Sequence, residues 1–282
     1  RRRALSRRAR AVNLAQLCCD RTPWTSRSER LRFLRDYLRF SGAGGTLRGW
    51  AWLVTFFARR HARRIEAHRD RRISGRNRYF THFSPAPGWQ ARVILASKRH
   101  PSGSRASALE FREEQWAETL ARPEALAARE GAELIKDSPS CIVVRRALRV
   151  GDHDLDVHIK RPLKHKPVKA LLDRLRGSRA MRAFRSGHML LTRRVETALP
   201  LAALERRSGW RVTDCILVTE TAPGLPLERY LSEADAGAVA GRHRLIRRLG
   251  RLIRTLHELR FTHRDLKAGN ILVHADGADD PH

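Results

Sequence analysis

The chain has 282 residues, 41% of them hydrophobic, which is enough for one or two domains with packed cores. Lys and Arg total 58 against 29 Asp and Glu, a formal net charge of +29; residues 1–75 alone hold twenty basic and five acidic residues, or +15. The four cysteines show neither metal spacing nor a disulfide framework, which argues against a zinc module or a disulfide-stapled secreted domain and fits a reducing compartment.

From the N-terminus, residues 4–18 and 28–40 read as amphipathic helices, with Leu31, Leu34 and Leu38 along one face of the second. The apolar run 50–58 is far short of the roughly 20 residues a membrane span needs. It reads as a buried helix end, although Trp50, Trp52, Phe56 and Phe57 beside Arg59 and Arg60 also suit an anionic membrane surface. The triplet His68-Arg69-Asp70 lies in a charge-rich helical stretch and reads as solvated surface. Between 76 and 132 the sequence predicts a strand at 91–97, a helix at 110–120 holding Trp116, and loops at Pro85, Pro87, Pro101 and residues 102–104.

A hairpin follows. Strand 133–137 runs into the loop Ser138-Pro139-Ser140-Cys141, strand 142–148 returns, and Gly151-Asp152 turns into an alternating strand, 155–160, that ends on Lys160. Ser138 and Ser140 can offer hydroxyls and backbone amides to a phosphate, though Pro139 restricts how closely the backbone approaches one. A helix is predicted over 178–193, capped by Ser178. The apolar run 215–220, stopped by Pro223 and Gly224, is a buried strand entering a turn. It suits an ordinary core strand, and equally one whose exit, about Glu220 to Ala222, meets the edge of an adenine. Residues 240–259 repeat Leu245, Leu249, Leu252, Ile253 and Leu256 at spacings of three and four, the stripe of a helix laid on a core.

That helix leads into 261–273, FTHRDLKAGNILV. Phosphoryl transfer needs an acceptor for the hydroxyl proton, a cation against the moving phosphate and an oxygen ligand for magnesium. Asp265, Lys267 and Asn270 supply these types in the order of a kinase catalytic loop: base, cation, metal ligand. The earlier His68-Arg69-Asp70 has Gly75 where the asparagine would stand.

From about residue 78 onward the chain resembles the bacterial lipopolysaccharide kinase family, the kinase-like enzymes that phosphorylate Kdo or heptose sugars of the lipopolysaccharide core. The resemblance rests on ELIKDSPS (133–140), VHIKRP (157–162), the stretch 177–207, LVTETAPGLPLERYL (217–231) and the catalytic loop. It implies an α+β, protein-kinase-like fold with a small antiparallel β N-lobe and a mostly helical, incomplete C-lobe. It further implies ATP and Mg2+, with Lys160 on the ATP phosphates, Asp265 as base and Asn270 on the metal. The implied partner is an anionic glycolipid or lipopolysaccharide core precursor, met in the cytoplasm at the inner face of the membrane. Specific DNA or RNA binding is not expected, because no recognition helix or strand-plus-aromatic pattern stands out.

Two features depart from the family pattern. Kinases pair the strand lysine with a glutamate on the next helix, but no acid occurs between Asp173 and Glu196, and Ala183 stands before Phe184. The aspartate of the metal-binding triplet should follow one strand after Asn270; the residues there, with Asp276, Asp279 and Asp280, read as a solvated acidic turn. Since residues 1–40 resemble the part of these kinases beyond that triplet, the expected organisation is tandem. Residues 1–75 would be a helical remnant of an upstream unit, 76–132 an extension, 133–222 the N-lobe and 223–282 the start of a C-lobe. In a bolder version, residues 1–75 fold back as the missing helical lobe. Two other functions compete with a sugar kinase: a serine/threonine protein kinase, which shares the Lys267 position, and a non-catalytic kinase-like module, motivated by the absent helix acid and the glycine-free loop.

Overall fold

The computed structural model describes residues 5–19, 25–97, 109–163, 177–233, 239–262 and 265–274, with the side chains of Cys18, Cys19, Val239 and Ala240 excepted. Pro101, residues 102–104, Asp276, Asp279 and Asp280 lie outside the described residues. The chain divides into two compact units, Arg1–Arg71 and Arg72–His282.

The first unit holds α1 (Arg7–Cys19), α2 (Arg27–Ser41) and most of α3 (Leu47–Ser74). Helix α2 begins where Ser26 and Glu29 cap one another. Ser26 N donates to Glu29 Oε2 at 2.6 Å and Glu29 N to Ser26 Oγ at 3.2 Å, satisfying two otherwise orphaned amides. It ends at Gly42, whose φ of 57° needs no Cβ. A small core of Ala11, Leu14, Ala15, Leu34, Trp50 and Val54 joins the three helices. Of the 50–58 run, Trp50 is buried but Trp52 is 66% and Phe56 46% exposed, the two rings stacked at 5.6 Å. Asp70, expected in solvent, is buried, whereas His68 and Arg69 are exposed. The correction follows from helical geometry, which turns neighbouring positions by about 100° and so separates their environments.

The second unit is α+β. Strands β1 (Phe80–Phe83), β2 (Trp89–Ile94), β3 (Glu133–Ser138), β4 (Cys141–Val150), β5 (His153–Pro162), β6 (Pro200–Ser208) and β7 (Arg211–Glu220) form one antiparallel sheet in the order β1-β2-β6-β7-β5-β4-β3. Pro200 to Glu205 of β6 are all buried, as a central strand covered on both faces requires. At the edge, β3 is exposed and carries Glu133, Lys136 and Asp137, charges that discourage pairing with another chain. Against the sheet lie α4 (Glu113–Thr119), α5 (Pro123–Leu126) and α6 (Arg179–Thr192). The buried Trp116 of α4 donates its indole N–H to the Ile94 carbonyl at 2.8 Å.

Helix α6 starts where predicted, with Ser178 Oγ accepting from Met181 N at 3.2 Å. It packs on β6 and β7 through a buried aromatic triad: His188 lies 4.5 Å from Phe184 and 4.8 Å from Phe80, ring centre to ring centre. At Gly187 the helix passes so close to β6 that a Cβ would sit 2.5 Å from Pro200 Cγ.

After the sheet come β8 (Leu225–Pro226), α7 (Leu227–Glu233), α8 (Val239–Glu258), a 3-10 turn (Ala268–Asn270) and β9 (Leu272–Val273). Helix α8 has the predicted stripe, but Leu245, Leu249, Leu252, Ile253 and Leu256 are only half-buried by the described residues, not set in a core. The strand expected at 91–97 ends at Ile94 and starts earlier, at Trp89. Through β2, the segment 76–132 contributes to the same sheet as the lysine strand.

Candidate active site

The candidate catalytic loop is held from both sides. Upstream, just past the end of α8 at Glu258, Arg260 with a φ of 60° reverses the chain so that Phe261 N donates to Leu256 O at 2.8 Å. Phe261 then lies under the Arg193 guanidinium, 5.9 Å from its ring centre, which connects the loop to the end of α6. Downstream, β9 pairs with β8 in the register Leu225↔Val273 and Pro226↔Leu272, and Leu227 N donates to Ile271 O at 2.7 Å. The approach is tight at Gly224, where φ is 112° and a Cβ would meet the Val273 carbonyl at 2.7 Å.

Between these anchors Asp265, Lys267 and Asn270 come together, all three exposed. Asn270 Nδ2 donates to the Asp265 carbonyl at 2.7 Å and to its Oδ2 at 3.0 Å, and Lys267 Nζ stands 3.5 Å from the same Oδ2. Both amide protons of Asn270 are thereby used, which fixes the plane of the amide and leaves its Oδ1 as an acceptor. An amide oxygen beside a carboxylate is the hard donor set Mg2+ takes, usually completed by waters and substrate phosphates. Among the described residues no group of three or more His, Cys, Asp or Glu gathers as a metal site. Asn270 Oδ1 is therefore one hard oxygen donor of the kind Mg2+ takes, and the described residues do not complete a site around it.

Sequence reasoning missed Glu228. This α7 residue faces the 3-10 turn so closely that a Cβ on Gly269 would lie 3.1 Å from its Oε1. A glycine between Lys267 and Asn270 was the available signal.

The other candidates line up along β5. Lys160 pairs across to Val143 on β4 and Leu217 on β7, and its exposed side chain makes no ion pair among the described residues. Its neighbour Arg161, by contrast, is held by Asp214 at 2.6 Å. Two positions further on, Pro162 faces Cys141, and Leu163 N donates to Ser140 O at 3.0 Å, so the Ser138–Ser140 turn sits just past the lysine. Within that turn Ser138 Oγ donates to the Cys141 carbonyl at 3.0 Å and accepts from Ser140 Oγ at 3.3 Å, so both hydroxyls are engaged in holding the turn. Toward the other end of β5, Glu220 pairs with Val157, and Thr221 N donates to Asp156 O at 2.9 Å. Thr221 Oγ1 lies 3.0 Å from His158 Nδ1, a tie that fixes the exit of β7 and that the sequence did not advertise. Burial lowers the His158 pKa, with the Asp156 carboxylate opposing. Ala222, half-buried, lies three residues before Leu225 and so within about 10 Å of the strand that grips the catalytic loop.

Helix α6 carries no acid, as its sequence requires, and no carboxylate on it faces Lys160. Among the described residues no helix is long and apolar enough to cross a membrane.

The sheet with α6 packed on β6 and β7, and the loop held from both sides, form an α+β unit in which Asp265 is the candidate catalytic carboxylate. Residues 145–282 match the model of the lipopolysaccharide kinase (Kdo/WaaP) family. The matched stretch includes every candidate residue except Ser138 and Ser140, which precede it. No curated protein and no solved structure matches the chain.

Proposed function

We propose that the chain is an ATP-dependent phosphotransferase of the lipopolysaccharide core kinase type, moving a phosphoryl group to a Kdo or heptose hydroxyl. The observation that carries this is the Asp265–Asn270 pair within the matched family stretch. Asp265 would take the hydroxyl proton, Lys267 would stand against the transferring phosphate, and Asn270 Oδ1 would hold Mg2+. Along β5, Lys160 and the backbone of the Ser138–Ser140 turn suit the ATP phosphates and residues Glu220 to Ala222 the adenine edge, with both serine hydroxyls bracing the turn. The order β3-β4-β5-β7-β6, with α6 inserted after the lysine strand, supports a protein-kinase-like lobe. Magnesium, when bound, supplies charge neutralisation between phosphate oxygens.

An anionic glycolipid acceptor agrees with the +29 charge, and the exposed Trp52 and Phe56 beside Arg59 and Arg60 support peripheral contact with an anionic membrane surface from the cytoplasmic side. A non-catalytic module is the second reading, favoured by the acid-free α6. Incubating the protein with radiolabelled ATP and Mg2+, and offering core oligosaccharide or a generic protein acceptor, decides among them. Label on the sugar supports the proposal, label on protein only supports a serine/threonine kinase, and nucleotide binding without transfer supports the module.

A further inference from the structure

Arg92, Ala203, Leu217 and Lys160 are successive cross-strand partners on β2, β6, β7 and β5, so their side chains share one face of the sheet. Helix α6 packs on that face over β6 and β7. Lys160 therefore emerges on one side of the helix and Arg92 on the other, three strand spacings or about 14 Å apart.

On the Arg92 side lies a groove of about 920 Å³ between α6, β2 and β6. Its charged lining is unbalanced: Arg92, Arg182, Arg185 and Arg207 against Glu205 alone. Glu205 is buried and already committed, its Oε2 accepting from Ser178 N at 3.1 Å and its Oε1 from Arg207 Nε at 2.7 Å. Among the described residues no carboxylate stands within ion-pair distance of Arg92 or Arg185. Burial pulls the Arg92 guanidinium below its ordinary value, Glu205 opposes the shift, and the nearby Arg185 lowers it further. Arg92, half-buried on the sheet, and Arg185, exposed on α6, line the same groove, so an anion between them would offset the cost of burying the Arg92 charge. Their planar forks match phosphate oxygens two at a time, and Ser186 on the same wall adds a hydroxyl donor.

We propose that this groove binds a phosphate group, gripped by Arg92 from the sheet and Arg185 from α6, with Arg182 and Arg207 flanking it. The bound anion fastens α6 to β2 on the side away from Lys160. The site is independent of the phosphotransfer proposal, because none of its residues belongs to the candidate catalytic set. A free phosphate ion and a phosphate monoester present the same oxygens, so both serve as probes.

The test is titration of the full chain with inorganic phosphate and with glycerol 3-phosphate, at ionic strength held constant with chloride and followed by calorimetry. The expected result is saturable binding that falls at least tenfold in Arg92→Ala/Arg185→Ala. It should survive in Lys160→Met, which alters the other side of α6, and in Arg247→Ala/Arg248→Ala, which removes two exposed charges elsewhere. Binding of the ion but not the ester keeps the site and restricts it to free phosphate. Should the double alanine variant fail to fold, Arg92→Lys/Arg185→Lys replaces it, retaining charge but losing the forks, and is expected to bind more weakly. Equal affinity in all variants, or equal loss in both double alanine variants, overturns the site in favour of general attraction to a basic surface. Loss in Lys160→Met alone moves phosphate binding to the other side of α6 and also overturns it.

Discussion

The side-chain amide of Asn270 donates twice to Asp265, once to the backbone carbonyl and once to the carboxylate Oδ2 at 3.0 Å. One residue thus sets the direction of the carboxylate and turns its own oxygen outward. Replacing Asn270 with Ala should free the carboxylate and remove a metal donor, lowering phosphotransfer by about ten- to hundredfold. Both groups are exposed, so the melting temperature should move by no more than about 2 °C. Steady-state transfer assays with a thermal melt check both; full activity in the variant would show that the amide orients nothing that matters.

Lys160→Met should act on nucleotide use and not on folding. The lysine makes no ion pair among the described residues, so the sheet does not depend on it. Losing one charge-assisted contact costs about 1.5–3 kcal/mol, which is a ten- to hundredfold fall in kcat/KM for ATP. Arg161→Met is the contrast: it breaks the half-buried pair with Asp214 and should lower stability instead.

Gly187→Ala tests the closeness of α6 to β6. Alanine gains about 1 kcal/mol of helix propensity over glycine. The added Cβ, however, would stand 2.5 Å from Pro200 Cγ, and a proline ring opposite a packed helix yields little. Overpacking of this kind costs about 1–3 kcal/mol. A lower denaturation midpoint is expected; a higher one would show that helix and strand can separate.

His188 makes stability depend on pH. Its ring is buried between Phe80 and Phe184 with Nε2 2.9 Å from the Pro200 carbonyl, and burial lowers its pKa to about 4 while that carbonyl opposes. A histidine whose folded pKa is depressed contributes its full stability above the unfolded pKa near 6.5 and loses it as pH falls toward 4. The loss over that window should be about 3 kcal/mol. Denaturant titrations from pH 7 to 4 on the protein and on His188→Gln check this; an unchanged slope in the variant would assign the loss to other groups.

Local chemistry made the hairpin, the lysine strand, α6 with its Ser178 cap and the stretch from α8 into the loop legible from sequence, because each is written in a short period or a turn signal. Strand β6 was not, since its all-buried run lacks the alternation of a half-exposed strand. Strand β1 is four residues long and gains its place only by pairing with β2. The Arg92–Lys160 row joins residues 68 positions apart and exists only through register. Asp265, Lys267 and Asn270 could be named from spacing alone, but the Thr221–His158 tie and Glu228 against Gly269 depend on tertiary approach.

The most direct test of the account is transfer of labelled phosphate from ATP to lipopolysaccharide core oligosaccharide by the protein and by Asp265→Ala, with circular dichroism confirming that both are folded. A general base accounts for about 10²–10⁴ in rate, so the variant should fall by at least a hundredfold with its spectrum unchanged. A folded Asp265→Ala protein that labels the sugar at the original rate would contradict the assignment of phosphoryl transfer to this loop.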